Sequence, residues 1–199
     1  MITLPRRLAC LTLGLTAVIT LSACQPGSPN ATASAAQDKP SPEVNPPGDI
    51  PDNQVYVPFT VPGGTFTVKV PEGWAQSQDG QATVFTDKLN TVRIEAASAS
   101  SAPTTATAQA EIAKIKASAQ GFSGGQVSQA QRKAGPAILI TYQEKSTPNA
   151  VTGKAVTDAV EHYTFWKSGH EAVLTLSGPV GADNVDPWRT ITDSVQWAP

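Results

Sequence analysis

Apolar residues follow three regimes along this chain. Residues 8–23 form an uncharged apolar run. Residues 25–53 hold almost no large apolar side chain. From Gln54 onward apolar positions recur every two residues, or every three to four. Period two marks a strand with one buried face, and period three to four marks one face of a helix. The third regime therefore holds the folded part.

Within it, residues 56–61 and 65–70 read as a hairpin around Pro62-Gly63-Gly64. Phe66, Val68 and Val70 share one face, and Thr65, Thr67 and Lys69 the other. Further strands are predicted at 82–86 and 92–97. A helix opens at Pro103-Thr104-Thr105 with a threonine N-cap. Ala108, Ile112, Ile115, Ala119 and Phe122 form its apolar face, Glu111, Lys114 and Lys116 its wet face, and Gly121 its C-cap. A loop or strand runs through Val127. Strands follow at 137–142, 159–167 and 171–177, the last two with apolar groups on both faces and so expected to be covered on both sides. A final helix starts at Asp186-Pro187, with Asp as N-cap, and buries Trp188, Ile191 and Val195. This order predicts an α+β fold, an antiparallel-rich β-sheet flanked by helices.

The first two regimes describe an address. A basic start with Arg6 and Arg7 precedes the apolar run of about 16 residues. A membrane-spanning helix needs about 20, so the run reads as a cleaved export signal rather than an uncleaved anchor. The arginine pair alone favours general over twin-arginine export. Residues 25–53 carry Pro26, Pro29, Pro40, Pro42, Pro46, Pro47 and Pro51 among small polar residues. Such a segment cannot bury enough surface to offset chain entropy and is expected to be an unstructured spacer of roughly 30 Å or more. Asn30-Ala31-Thr32 matches an N-glycosylation triplet.

Between these regimes stands Leu21-Ser22-Ala23-Cys24. It resembles the lipobox of bacterial lipoproteins: an aliphatic residue three before the cysteine, with small residues between. The resemblance implies cleavage after Ala23, a diacylglycerol thioether on Cys24 and anchoring on the extracytoplasmic face of the cell membrane. Each buried methylene contributes about 0.8 kcal/mol, and two chains anchor stably where one is marginal. The expected organisation is a signal peptide over 1–23, a lipidated linker over 24–53 and a globular domain over 54–199.

Composition narrows the chemistry. Losing Arg6 and Arg7 takes the formal charge from −2 to −4, which disfavours nucleic acid as a partner. The two cysteines are Cys10 and Cys24. The first leaves with the signal and the second is acylated, so thiol nucleophiles, cysteine-bound zinc and disulfides are excluded on this reading.

The domain itself resembles the PsbP-like fold, an α/β/α sandwich shared with DcrB and with the LpqN/LpqT-type lipoproteins of mycobacteria. The resemblance rests on the hairpin ending in Pro71-Glu72-Gly73-Trp74, on Tyr142 beside Tyr163-Thr164-Phe165, and on a final helix from Ile191 to Trp197. It covers residues 56–197. It implies a non-catalytic binding or scaffolding module.

No nucleophile elbow or phosphate loop is present. Gly121-Phe122-Ser123-Gly124-Gly125 has misplaced glycines and follows a helix, so it reads as a loop. His162 and His170 lie on adjacent strands beside Glu161 and Glu171. Neighbours in a strand face opposite ways, so an ordinary polar set is favoured over a metal site, and no metal or other cofactor is expected. Trp74, Trp166, Trp188 and Trp197 either fill the core or line a pocket. Trp74, His162 and Trp166 are the candidate ligand or partner surface. Three functions remain: a binding module for an envelope protein or a small apolar ligand, an envelope enzyme using a His–carboxylate pair, or a structural subunit of a membrane complex.

The lipobox yields a direct expectation. Cys24→Ala abolishes labelling by a fatty-acid analogue and leaves uncleaved precursor. Label retained on the variant would sink the anchor assignment.

Overall fold

The computed structural model describes residues 47–148 and 153–199. Leu21, Ser22, Ala23, Cys24 and the linker up to residue 46 lie outside the described residues. Ten strands and two helices occupy the rest: β1 (Tyr56–Thr60), β2 (Phe66–Pro71), β3 (Ala75–Asp79), β4 (Ala82–Asp87), β5 (Asn90–Ser98), α1 (Thr105–Ser118), β6 (Ser123–Arg132), β7 (Gly135–Lys145), β8 (Thr157–Lys167), β9 (His170–Pro179), α2 (Val185–Thr192) and β10 (Gln196–Trp197). The fold is α+β, as the sequence pattern indicates.

The strands form two antiparallel sheets. Seven run in the order β3-β4-β5-β9-β8-β7-β6, and β1-β2-β10 form a smaller sheet. The predicted hairpin thus lies outside the main sheet. Phe66, Val68 and Val70 meet Val92, Ile94, Leu174, Leu176, Tyr163 and Phe165 of the large sheet, and Trp188 and Ile191 of α2, in one core. Each such side chain contributes about 1.5–3 kcal/mol on full burial. On the opposite face, α1 packs Ala108, Ile112 and Ile115 onto Ile138 and Ile140.

Helix α1 begins where threonine chemistry allows. Thr104 Oγ1 accepts from the Thr107 amide at 3.1 Å, and Thr107 Oγ1 accepts from the Thr104 amide at 2.8 Å. This is a reciprocal capping box. The helix ends at Ser118 and its C-cap is Ala119, not Gly121. Gly121 takes the left-handed turn two residues later. Phe122 lies beyond the helix and stacks on Tyr142 with centroids 5.4 Å apart.

Four expectations need correction. Residues 47–53 belong to the domain and not to the linker, since Ile50 is 4% exposed within the main core. The final helix starts at Val185: its N-cap is Asn184, two residues before Asp186, and Pro187 stands third. The first amides of a helix have no internal acceptor, so Pro187 costs nothing there. The helix stops at Thr192 instead of running to Trp197. Gln196 and Trp197 pair with Thr67 and Phe66 as β10, so Val195 is buried from extended chain. Finally, β9 is covered on one side only. Ala172, Leu174 and Leu176 are buried, whereas Glu171, Val173, Thr175 and Ser177 are half-exposed.

The corrected boundary depends on a buried amide set. Asn184 Oδ1 accepts from the Ile50 amide at 2.8 Å, and Asn90 Nδ2 donates to the Gly48 carbonyl at 2.8 Å. Gly178 lies against both asparagine side chains, where a Cβ would collide with them. A fragment of residues 54–199 is therefore expected to lose about 2–4 kcal/mol against 47–199 in urea denaturation. Gly178→Ala is expected to cost about 1–3 kcal/mol. Equal midpoints for the two fragments would overturn this account.

Candidate functional site

Burial alternates along β5 and β9. One face is closed by the small sheet and α2. The other carries half-exposed Thr91, Arg93, Glu95, Val173, Thr175 and Ser177. Helix α1 lies over β6 and β7 on this second face, so β4, β5 and β9 are left as the floor of a trough beside it. A cleft of about 450 Å³ lies at one end, between residues 98–103 and Thr107, Glu111 and Glu171. A cleft of about 500 Å³ lies at the other, below the C-terminus of α1.

His162 stands at the edge between helix and trough, with its side chain 13% exposed. Its Nδ1 is 2.8 Å from Thr175 Oγ1, and its Nε2 is 3.3 Å from Glu111 Oε1. The hydrogen bond to His162 holds the Glu111 carboxyl below its ordinary range against a smaller opposing effect of burial. The sequence pattern placed Glu111 on the wet face of α1. It is instead the residue by which the helix reaches β8. A partner on the third strand after the helix leaves no local signal.

The candidate residues do not converge. Trp74 follows the β2–β3 turn and leans on the main core. Trp166 shares the trough face of β8 with His162, but its indole Nε1 donates to the Ala99 carbonyl at 3.0 Å. His170 is exposed at the start of β9, in the register that faces the opposite way to His162. Glu161 accepts from Tyr163 Oη at 2.8 Å on the buried side. Among the described residues no three His, Cys, Asp or Glu side chains cluster as metal ligands. No described helix is long and apolar enough to cross a membrane.

The large cleft contains what the sequence reading missed. Glu144 on β7 and Asp158 on β8 are cross-strand partners. Asp158 is 6% exposed and its Oδ1 is buried without a hydrogen-bond partner. Burial pushes the Asp158 carboxyl up to about 6. Burial, and then the charge of Asp158, raises Glu144 as well. Tyr142, on the same face, is pushed up to about 12 by burial and by the charges of Glu144 and Glu111. The signal available in sequence was only that both carboxylates sit at facing strand ends.

No family model and no curated protein matches the chain. Solved structures do. The cyanobacterial PsbP protein (CyanoP) of Synechocystis sp. PCC 6803 is 10% identical, with 76% of this chain and 98% of that one covered at a TM-score of 0.51. The Ran-binding protein Mog1p of Saccharomyces cerevisiae is 9% identical, with 72% and 96% covered and a TM-score of 0.49. A Bacteroides thetaiotaomicron protein is 16% identical over 71% of this chain at a TM-score of 0.47, and the match spans about half (48%) of that protein. The likeness to CyanoP shows the fold: the described domain is PsbP-like.

Asp158 sets a pH-dependent stability. Its folded carboxyl is raised above the unfolded value, so the folded state holds the extra proton between about pH 4 and 6. Stability contributed by this group is present below that window and is lost as pH rises through it. Asp158→Asn is therefore expected to stabilise the domain by about 1–3 kcal/mol at pH 7.5, with the gain vanishing near pH 4. Urea titrations at both pH values check it. A variant less stable than wild type at pH 7.5 would show that the carboxylate is well satisfied.

Proposed function

We propose that this chain is a lipoprotein anchored through Cys24 at the extracytoplasmic face of the cell membrane, and that its PsbP-like domain is a non-catalytic binding module. The observation that carries the binding role is the trough: the chain covers one face of β5 and β9 and leaves the other half-open between two clefts. Concave sites with a few convergent polar groups are where small ligands bind. The floor presents Arg93, Glu95, Glu171, Thr175 and Ser177, which suits a polar ligand better than the apolar one expected from the tryptophans. The linker would serve as a spacer between the lipid and the domain.

The enzyme reading has one specific observation in its favour. Glu111, His162 and Thr175 place a carboxylate, an imidazole and a hydroxyl in hydrogen-bond sequence. That order serves nucleophilic catalysis when an oxyanion site faces the nucleophile. Thr175 sits in mid-strand, paired with Arg93 of β5 on one side and His162 of β8 on the other. The amides around it are committed to two ladders, so none is free to receive a developing oxyanion. The triplet is better explained as the tie between α1 and the sheet.

A photo-crosslinking residue placed at Val173, on the trough floor, is expected to capture a ligand or partner in native membranes. The same residue at Lys116, on the exposed side of α1, is expected to capture none. Equal labelling would contradict a trough site. In parallel, ester, peptide and glycoside substrates are expected to show no turnover that His162→Ala removes. Turnover lost in a folded variant would promote the enzyme.

A further inference from the structure

Asp158 is the point at which the trough is incomplete. Buried polar atoms in folded proteins almost always have a partner. A buried carboxylate oxygen without one is costly. Asp158 Oδ1 has none, and its residue lines the cleft below α1. Its cross-strand neighbour Glu144 adds a second carboxyl rather than a counter-charge. The wall above is formed by Ser118, Ala119 and Gln120, where the carbonyl end of α1 is partially negative. Of the cleft's lysines, Lys145 donates to Thr157 Oγ1 at 2.6 Å and Lys88 pairs with Asp87 at 3.7 Å. Lys154 stands at the rim with them. The floor is therefore acidic and the rim basic.

Two carboxylates fall short of the six to eight oxygens a calcium ion takes. The volume of about 500 Å³ lies in the range of organic-ligand sites. We propose that this cleft binds a small zwitterion of the amino-acid type, with its primary ammonium group donating to Asp158 and Glu144 and its anionic end toward the lysine rim. An ammonium group carries three donors and a full charge, which is what an unpaired buried carboxylate lacks. The inference deepens the binding-module reading and rests on it: it names the ligand class of one end of the trough.

Both carboxyls are raised by burial, and Lys88, Lys145 and Lys154 are the cations that line the same cleft. Binding is thus expected to weaken as pH falls below about 6, where Asp158 takes up a proton.

The test is calorimetric titration of the full chain in detergent with a panel of L-amino acids, with propylamine and propionate as half-ligands. At least one amino acid is expected to bind saturably at pH 7.5 with a Kd at or below about 1 mM. Asp158→Asn and Glu144→Gln should each weaken it about tenfold or more, and Lys116→Gln should leave it unchanged. Propionate alone should not bind. A panel without any binder overturns the proposal, as does binding indifferent to both carboxyl variants, or saturable calcium binding that both variants abolish. Crosslinking at Val173 is read separately. If it succeeds while the panel fails, the ligand class is wrong and the binding module stands; if both fail, the module falls with it.

Discussion

Asn184 fixes where everything else can sit. Its Nδ2 donates to Asn90 Oδ1 at 2.9 Å and to the Gly48 carbonyl at 3.0 Å, while its Oδ1 accepts from Ile50. Asn90 and Asn184 are 4% and 3% exposed. A closed set of this kind satisfies polar groups that would otherwise be expensive to bury, and it is satisfied in one geometry only. That geometry joins the entering chain, the head of β5, the end of β9 above Gly178 and the start of α2. The small sheet and α2 then lie on the same face of the large sheet, and the apolar core forms between them. The opposite face receives only α1, over β6 and β7.

A second network secures the far side of the same core. Arg132 on β6 donates through Nε to Thr192 Oγ1 at 2.9 Å and through Nη2 to Tyr163 Oη at 2.6 Å, with its guanidinium 5.0 Å from the Tyr163 ring centroid. Tyr163 passes its own proton toward Glu161, and burial together with the Glu161 charge raises the phenol strongly. An arginine held this way binds an edge strand to the end of α2 by charge-assisted bonds. The closed face thus carries two interlocked polar sets around an apolar centre. The trough face has half-exposed hydroxyls and charges, and its polar pairs are mostly local, as in Arg93 with Glu95 at 2.7 Å.

What could be read in the sequence was whatever a local period encodes. Phe66, Val68 and Val70 alternate, Ala108, Ile112 and Ile115 follow a helical repeat, and Thr104 has its capping partner three residues on. β3 escaped because every one of its residues is exposed; it is held by main-chain pairing to β4 and has no apolar face to announce it. β10 escaped because the helical spacing of Trp188, Ile191 and Val195 continues through the break at Thr192. There Ser194 Oγ donates to the Ile191 carbonyl at 2.6 Å and accepts the Lys69 amide at 2.7 Å. Ile50, Asn184 and Glu111 have partners 134, 94 and 51 residues away. No window of sequence contains both halves of such a contact.

An open face is not by itself a site. Antiparallel sheets commonly bury one face and wet the other, and the half-exposed residues of β5 and β9 fit that habit. The described residues leave three buried side-chain atoms without partners: Thr65 Oγ1, Trp188 Nε1 and Asp158 Oδ1. A hydroxyl or an indole in that state loses the worth of a neutral hydrogen bond, whereas a carboxylate faces a charge-desolvation penalty as well. An asparagine at 158 would keep the shape and remove that penalty. The carboxylate keeps the penalty and adds a negative charge in the cleft below α1, directly across from a second one on β7. Such an arrangement is unfavourable for the empty protein and favourable for a cation that enters it. Stability alone does not account for an unpaired acid there, and the proposed ammonium ligand would supply the missing partner.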